Sequence, residues 1–478
     1  MRNLRERTLP RAASGWLWAG ILVLLLAACG TLETHLPSTE PVHTTNQHAY
    51  IATVDISDTD TREAIAAAYG GDVVVWRPEA GFAILGLPTP DEGIGTLGRP
   101  ADGPGARPTL PMPANAAPNH DAFSAPRFDD AAALGVNAWA GGVNAWAGGV
   151  HAWAGGVNAW AGGVDNPFPG NEGAWTQMQL GEAQEATANR GQGVVIAIID
   201  TGLDLNHVGF TGRLAPSSSW LDLVDGDTYP HEGYVTGCTL WRGKTCHQTG
   251  LVKTGNGAFF GHGTAVAGIA LQAAPNATIL PIRVLNSDGF GSATNVAIAI
   301  DHAIERGANV INLSLGTFQQ VPAIDQMVAY AGQRGVVVVA ASGNTGDLNV
   351  WYPARTAAGP DYPHAISVGS VDIADARSWF STYGAGLVEM VAFGDGVATL
   401  YPGDMMAYGL GTSFSAPWAA GTVALILGDG GPVKRNSPGA APLTVDASDA
   451  IDDYYYQIGL LGNGRLNALE AVNAALGK

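Results

Sequence analysis

The chain has 478 residues, enough for a large core and more than one folded unit. With 46% hydrophobic and 14% charged residues, 65 glycines and 28 prolines, it is a globular protein with extensive loops or linkers, not a disordered acidic chain. A net charge of −19 argues against a nucleic-acid partner, because phosphate binding needs clustered Lys and Arg.

Arg2, Arg5, Arg7 and Arg11 precede an apolar run over residues 16–28 that ends Leu26-Ala27-Ala28-Cys29-Gly30. A basic stretch, a short apolar core and small residues before a cleavage point predict an export signal over residues 1–28. The run is too short for a comfortable transmembrane helix. The Leu-Ala-Ala-Cys ending resembles the lipobox of bacterial lipoproteins. That resemblance implies lipid attachment at Cys29 and a protein exported to the cell envelope and held to a membrane; an ordinary signal peptide with an incidental cysteine is the alternative. Residues 29–47, polar and Thr-rich, read as a tether.

Residues 48–87 carry the pattern of a small βαββ unit. Residues 50–54 predict a strand, and residues 59–69 a helix opened by Asp58 or Thr59, with Glu63 in its first turns and Gly70-Gly71 at its end. Residues 72–76 and 81–87 predict a hairpin across Arg77-Pro78-Glu79-Ala80. So small a unit is marginal alone and needs a partner surface. Residues 88–135, rich in Pro, Ala and Gly, read as a linker. Val-Asn-Ala-Trp-Ala-Gly-Gly then occurs four times within residues 136–164, with His151 in place of Asn in the third copy. Paired glycines in every repeat argue against a heptad helix. The tryptophans either stack or engage a partner, or the tract is a product of replication slippage; no chemistry is assigned to it.

From Gly173 onward the pattern is α/β. Residues 194–199 form an unbroken apolar run, as expected of a parallel strand buried on both faces, and similar runs recur at 278–284, 310–314, 336–341 and 365–368. Helical stretches at 263–271, 293–306 and 323–334 lie between them. The fold class is therefore α/β, a doubly wound and mostly parallel sheet with its crevice at the strands' C-terminal ends, preceded by a small α+β unit. Residues 211–260 interrupt the rhythm with polar, Gly-rich sequence and read as a surface insertion. It holds Cys238 and Cys246, a disulfide pair if the compartment is oxidising; with two cysteines and no matching His pair, zinc is disfavoured.

Four residues carry candidate chemistry. Asp200 directly follows the first buried run, in Asp200-Thr201-Gly202. His262 lies in Gly261-His262-Gly263-Thr264 ahead of a helix. Asn344 ends Ser342-Gly343-Asn344, and Ser413 opens an apolar helix in Gly411-Thr412-Ser413-Phe414-Ser415-Ala416-Pro417. Singly, each has a bland reading as turn former, structural histidine or helix cap. Together they supply an orienting acid, a base, an amide donor and a nucleophile at strand ends or helix starts of one sheet. The order Asp…His…Ser is that of subtilisin among the triad types.

At these three boxes, Ile198-Ile199-Asp200-Thr201-Gly202, Gly261-His262-Gly263-Thr264 and Gly411-Thr412-Ser413 with Ala416-Pro417, the chain resembles the subtilisin-like (subtilase) serine peptidases over residues 172–478. The resemblance implies a serine endopeptidase acting on proteins or peptides, with Ser413 as nucleophile, His262 as base, Asp200 orienting it, and Asn344 with the Ser413 N–H receiving the oxyanion. It also implies that Ser314, Leu315 and Gly316, with Gly289, Phe290 and Gly291, are the two extended segments pairing with substrate backbone. Gly316 with Ala340, Ala341, Ser342 and Gly343 would line the pocket for the residue before the scissile bond, with an apolar preference. Ala265 stands where many members carry a second His, and Thr317 where Gly is common. No cofactor is implied; calcium serves some members, but its ligands cannot be mapped here, with Gly209 near the place of an expected Asp, so no metal is assigned. The unit at 48–87 resembles a short subtilase propeptide, a partner that folds and covers its own enzyme, which implies cleavage between Pro88 and Glu172 and separation of the peptidase from its anchor unless the propeptide stays bound. The competing reading, from another class, is a catalytically silent surface lipoprotein that binds proteins.

Overall fold

The computed structural model describes residues 48–88, 113, 115–119, 121–123, 135–137, 168, 170–232, 259–287, 289–428 and 438–478, with 118, 121–123, 135–137 and 405 in backbone only. Residues 1–47, Cys238, Cys246 and the repeats beyond Asn137 lie outside them, and with them the readings placed on signal, anchor and disulfide.

β1 (Tyr50–Asp55), α1 (Arg62–Tyr69), β2 (Asp72–Arg77), β3 (Phe82–Leu87) and β4 (Ala117–Pro118) form the N-terminal unit, a sheet in the order β2-β3-β1-β4 with one helix. The helix starts later than the sequence predicts. Thr61 caps it, its Oγ1 accepting from Ala64 N at 3.2 Å, while Asp60 is taken up by the Ser57 N–H and hydroxyl. β3 lies between β2 and β1 and is buried at all six positions. Its Ala83, Leu85 and Leu87 pack with Ile65, Ala66 and Tyr69 of α1, while Phe82 and Ile84 on the other face join the core of the larger part.

β5 (Asp121–Phe123) and β6 (Gly135–Asn137) follow, so the stretch read as linker contributes strands. The chain continues through α2 (Glu172–Gln177), α3 (Leu180–Ala186), β7 (Val195–Asp200), β8 (Leu221–Asp222), α4 (His262–Ala273), β9 (Thr278–Arg283), β10 (Phe290–Ser292) and α5 (Ala293–Glu305). Next come β11 (Val310–Leu313), α6 (Pro322–Gln333), β12 (Val337–Ala341), α7 (Ala354–Ala357), β13 (Ala365–Val371), β14 (Met390–Phe393), β15 (Asp395–Tyr401) and β16 (Met405–Leu410). α8 (Thr412–Gly428), α9 (Ala440–Asp446), α10 (Tyr454–Gln457) and α11 (Ala468–Leu476) complete it.

Seven strands in the order β14-β13-β12-β11-β7-β9-β8 make the main sheet, and every neighbouring pair is parallel. Helices cover it, so its strands are buried on both faces and read as unbroken Val/Ile/Leu/Ala runs. α8 is buried at all seventeen positions, which is why its sequence shows no polar face. The segment read as a surface insertion is partly structural: residues 221–222 are the edge strand β8, and Leu214 bridges Ile279.

The N-terminal unit and the larger part meet within one compact unit, His43–Lys478. Arg77 makes a two-pronged bond to Asp301 of α5, Nε to Oδ1 at 2.6 Å and a terminal nitrogen to Oδ2 at 2.7 Å. Beside it the Phe82 ring meets the Tyr330 ring of α6 edge-on at 5.6 Å, and the Tyr330 hydroxyl donates to Glu79 at 2.8 Å. Asn119 Oδ1 accepts from Thr294 N at 3.0 Å, using one of the free N–H groups of α5's first turn. Downstream, β5 pairs antiparallel with β10, Phe123 opposite Phe290, and β6 with β16, Gly135 opposite Leu410.

Candidate active site

Asp200 is the last residue of β7 and His262 the first of α4, so the sheet's C-terminal edge and a helix start bring them together. His262 Nδ1 lies 2.8 Å from Asp200 Oδ1, which also accepts the Thr201 N–H at 2.7 Å; both side chains are buried. Such a bond fixes the imidazole tautomer, holding Nδ1 as the protonated nitrogen and leaving Nε2 to act as a base. The close approach depends on Gly263: a Cβ there would sit 2.1 Å from the Gly202 carbonyl oxygen. The rings of Phe414 and Phe259 hold the imidazole edge-on, at 5.4 and 6.1 Å.

Sequence reasoning missed the residue that ties these two elements together. Glu232 is fully buried behind the pair and accepts hydrogen bonds from the Thr201 and Thr264 hydroxyls, and from Gly261 N at 2.9 Å. Thr201 Oγ1 in turn accepts from Gly263 N at 3.0 Å, and Thr264 Oγ1 from Asp204 N at 2.8 Å. One carboxylate therefore laces the end of β7 to the start of α4. Burial pushes Glu232 up to about 7 even though two hydroxyls donate to it, and the Asp200 charge acts in the same direction. It comes from the segment read as an insertion, where a lone Glu among polar residues carries no signal.

Ser413 lies in the first turn of α8, close to the helix's positive end. Its Oγ donates to the Ser314 carbonyl at 3.2 Å, and Ser314 Oγ donates to the Ser413 carbonyl at 2.7 Å. The second bond has a local cause. Proline has no N–H, so Pro417 cannot make the bond that position 417 of an α-helix makes to carbonyl 413, and the Ser314 hydroxyl takes its place. Asn344 Oδ1 accepts from Thr412 N at 2.8 Å and Thr412 Oγ1 at 2.9 Å, which turns the Nδ2 donor toward Gly411. Gly411 is required there, with φ +144 and an added Cβ only 3.3 Å from that nitrogen.

Ser314, Leu315 and Gly316 leave the end of β11, and Ser342 and Gly343 leave the end of β12, which closes with Ala340 and Ala341. Leu315, Ala340 and Ala341 belong to the core. Gly289, Phe290 and Gly291 lie at or in β10, whose edge is taken by the chain's own β5. Gly209 is buried, and a Cβ there would lie 2.6 Å from Leu400. Among the described residues no three His, Cys, Asp or Glu side chains are grouped to hold a metal ion.

The subtilase family model, Peptidase S8, matches residues 191–432, just over half of the 478. Thermitase from Thermoactinomyces vulgaris is 37% identical over 282 residues, 59% of this chain and 89% of that protein. A thermophilic serine proteinase from Bacillus sp. (strain AK1) is 34% identical over 59% of this chain and 62% of its own length. For subtilisin BL from Lederbergia lenta the values are 35%, 49% and 77%. A crystal structure of a cold adapted subtilisin-like serine proteinase aligns with 59% of this chain and 89% of its own at 27% identity, with a TM-score of 0.45. On the extent of the family match and the identity to relatives matched over most of their length, this chain belongs to the subtilase family and is a serine endopeptidase of protein or peptide substrates.

Proposed function

We propose that the chain is an exported, self-processing precursor in which Asp200, His262 and Ser413 cleave peptide bonds through an acyl-enzyme. The observation that carries the reading is the buried 2.8 Å bond between His262 and Asp200, beside the helix turn that bears Ser413. Ser413 Oγ attacks the carbonyl carbon while His262 takes its proton; the imidazolium, held by Asp200, then protonates the leaving amine. Water, activated by the same histidine, releases the acyl group. The Ser413 N–H and Asn344 Nδ2 receive the oxyanion. The Ser413 hydroxyl rests on the Ser314 carbonyl and has to turn about its Cα–Cβ bond toward His262 for attack, as catalytic hydrogen bonds often tighten only with substrate bound. Side chains and backbone of this chain, with the attacking water, handle every proton and charge in the sequence, so no cofactor is invoked in the chemical steps.

Two pairings support the precursor reading. β5 adds as an antiparallel strand to β10, the manner in which a substrate strand extends a sheet edge. β6 pairs with β16, which runs directly into Gly411 and Ser413. The sequence between them, residues 124–134, is where we place self-cleavage. The N-terminal unit then remains as a docked inhibitor through Arg77 and Phe82, and Cys29 carries a lipid that anchors it. Both the parent chain and Ser413→Ala, expressed without residues 1–28, provide the test. The parent is expected to be cut within 124–134 and labelled by a fluorophosphonate, and the variant to show neither. Identical processing of both, with neither labelled, defeats the triad and leaves a silent binding protein.

A further inference from the structure

The crevice beside Ser413 is filled by a side chain of the protein itself. β11 and β12 are parallel neighbours, Leu313 opposite Ala340, and beyond them the chain runs on as Ser314–Thr317 on one side and Ser342–Asn344 on the other. Space between strand ends of this kind is where α/β sheets receive ligands. Here it adjoins the reacting centre, since Ser314 O accepts from Ser413 Oγ and Asn344 Oδ1 from Thr412 N. Trp351 is strapped across it: Trp351 N donates to Ser342 O at 2.8 Å, and Tyr352 exchanges two backbone bonds with Thr317, at 2.9 and 2.7 Å.

The indole lies against both walls. A Cβ built on Gly343 would be 2.6 Å from its Cγ, Cδ1 and Cδ2, and one built on Gly316 would be 3.1 Å from Trp351 Cβ and 3.2 Å from Cε3. Trp351 is only 2% exposed, and the half-exposed Phe318 ring covers it edge-on at 5.5 Å. Gly343 is thus needed to admit the indole, while at Gly316 a Cβ would first meet the Tyr352 carbonyl oxygen at 2.9 Å; the indole occupies the volume that a bulky substrate side chain would require.

We propose that Trp351 is the specificity-determining residue of this peptidase, closing the pocket for the side chain on the acyl side of the scissile bond so that cleavage follows Gly, Ala or Ser. The inference rests on the peptidase reading and narrows its substrate class from apolar to small. A Phe or Leu there meets a packed ring and has to displace it, whereas a methyl group needs no such room. The proposed self-cleavage stretch contains Ser124, Ala125, Ala131, Ala132 and Ala133, side chains that such a pocket accepts, and also Arg127, Phe128 and Leu134, which it refuses.

The test uses the processed enzyme and peptide p-nitroanilides that differ only in Gly, Ala, Leu or Phe before the scissile bond. Wild type is expected to show kcat/KM for Ala about 10²-fold or more above that for Phe, and Trp351→Gly to raise the Phe value by a similar factor. Equal turnover of Ala and Phe by wild type overturns the inference while leaving the peptidase reading intact. If no peptide is cut and wild type takes no fluorophosphonate, that reading fails and the inference with it. Should Trp351→Gly not fold, the wild-type ratio still decides, as does the self-processing cut: a cut after Ser124, Ala125, Ala131, Ala132 or Ala133 supports the proposal, and a cut after any other residue of 124–134 overturns it.

Discussion

Single atoms in this site answer for one another across the fold. Pro417 withholds an N–H from the Ser413 carbonyl and Ser314 supplies an O–H in its place, so the peptide of the proposed nucleophile is pinned by the segment that follows β11. Asn344 is held by two donors from Thr412, leaving its amide nitrogen preorganised. Asn344→Ala should therefore lower kcat by about 10²–10³ with little change in KM, as is typical when one such donor is lost from subtilisin; steady-state kinetics on a peptide anilide gives the split. Glu232 touches no substrate and acts through Asp200 and His262. Glu232→Ala leaves two hydroxyls and the Gly261 N–H without an acceptor in a buried site, at a cost of about 1–3 kcal/mol each where no water enters. The expected outcome is a fall in melting temperature together with kcat. Glu232→Gln keeps an acceptor for Thr201 and Gly261 and should restore most of both; a Gln variant no better than Ala would show that the charge, not the lacing, is what matters.

At the level of elements, the docking of the N-terminal unit follows from how β3 is built. A strand buried on both faces needs a layer on each side, and α1 covers only one. The helices α5 and α6 supply the other, with Asp301 and Tyr330 as the polar contacts. Burial raises Asp301 to about 6 against the pull of Arg77, so removing the guanidinium strands a poorly solvated carboxyl. Arg77→Ala should weaken the hold of the cleaved N-terminal unit by about 2–3 kcal/mol, roughly a hundredfold in Kd. Titrating the processed parent enzyme, freed of its own N-terminal unit and blocked at Ser413 by a fluorophosphonate, with the unit added in trans measures this, and an unchanged Kd would assign the docking to Phe82 and Ile84 alone. The helix α8 shows the same dependence on neighbours: with all seventeen residues buried it has no amphipathic signal, and it is legible as an unbroken apolar run opened at Gly411.

The whole molecule carries several carboxyls whose protons burial holds. Glu232 and Glu389 are pushed up to about 7 and Asp301 to about 6. For an acid with a raised folded pKa, the folded state binds its proton more tightly than the unfolded chain does. That contribution to stability is complete below the unfolded pKa, near 4, and is lost as pH rises through 6 to 7. Glu389, whose Oε2 accepts from Ser367 N at 2.8 Å, isolates the effect. On the Ser413→Ala background, which cannot digest itself, Glu389→Gln should gain in melting temperature relative to its parent between pH 5 and pH 8; a constant gap would refute a shifted Glu389. By itself the sequence determined the alternation of buried strands and helices and the N-terminal βαββ pattern, and it singled out Asp200, His262, Asn344 and Ser413 as the candidate set. These are local facts, since two-sided burial leaves unbroken apolar runs and glycines must flank side chains held at strand ends. Only the tertiary structure decided that Glu232 laces two elements, that Ser314 replaces a bond Pro417 cannot make, that residues 121–123 take the edge of β10, and that Trp351 fills the crevice. Each of those depends on which distant segments the sheet brings together, a property no single stretch of chain records.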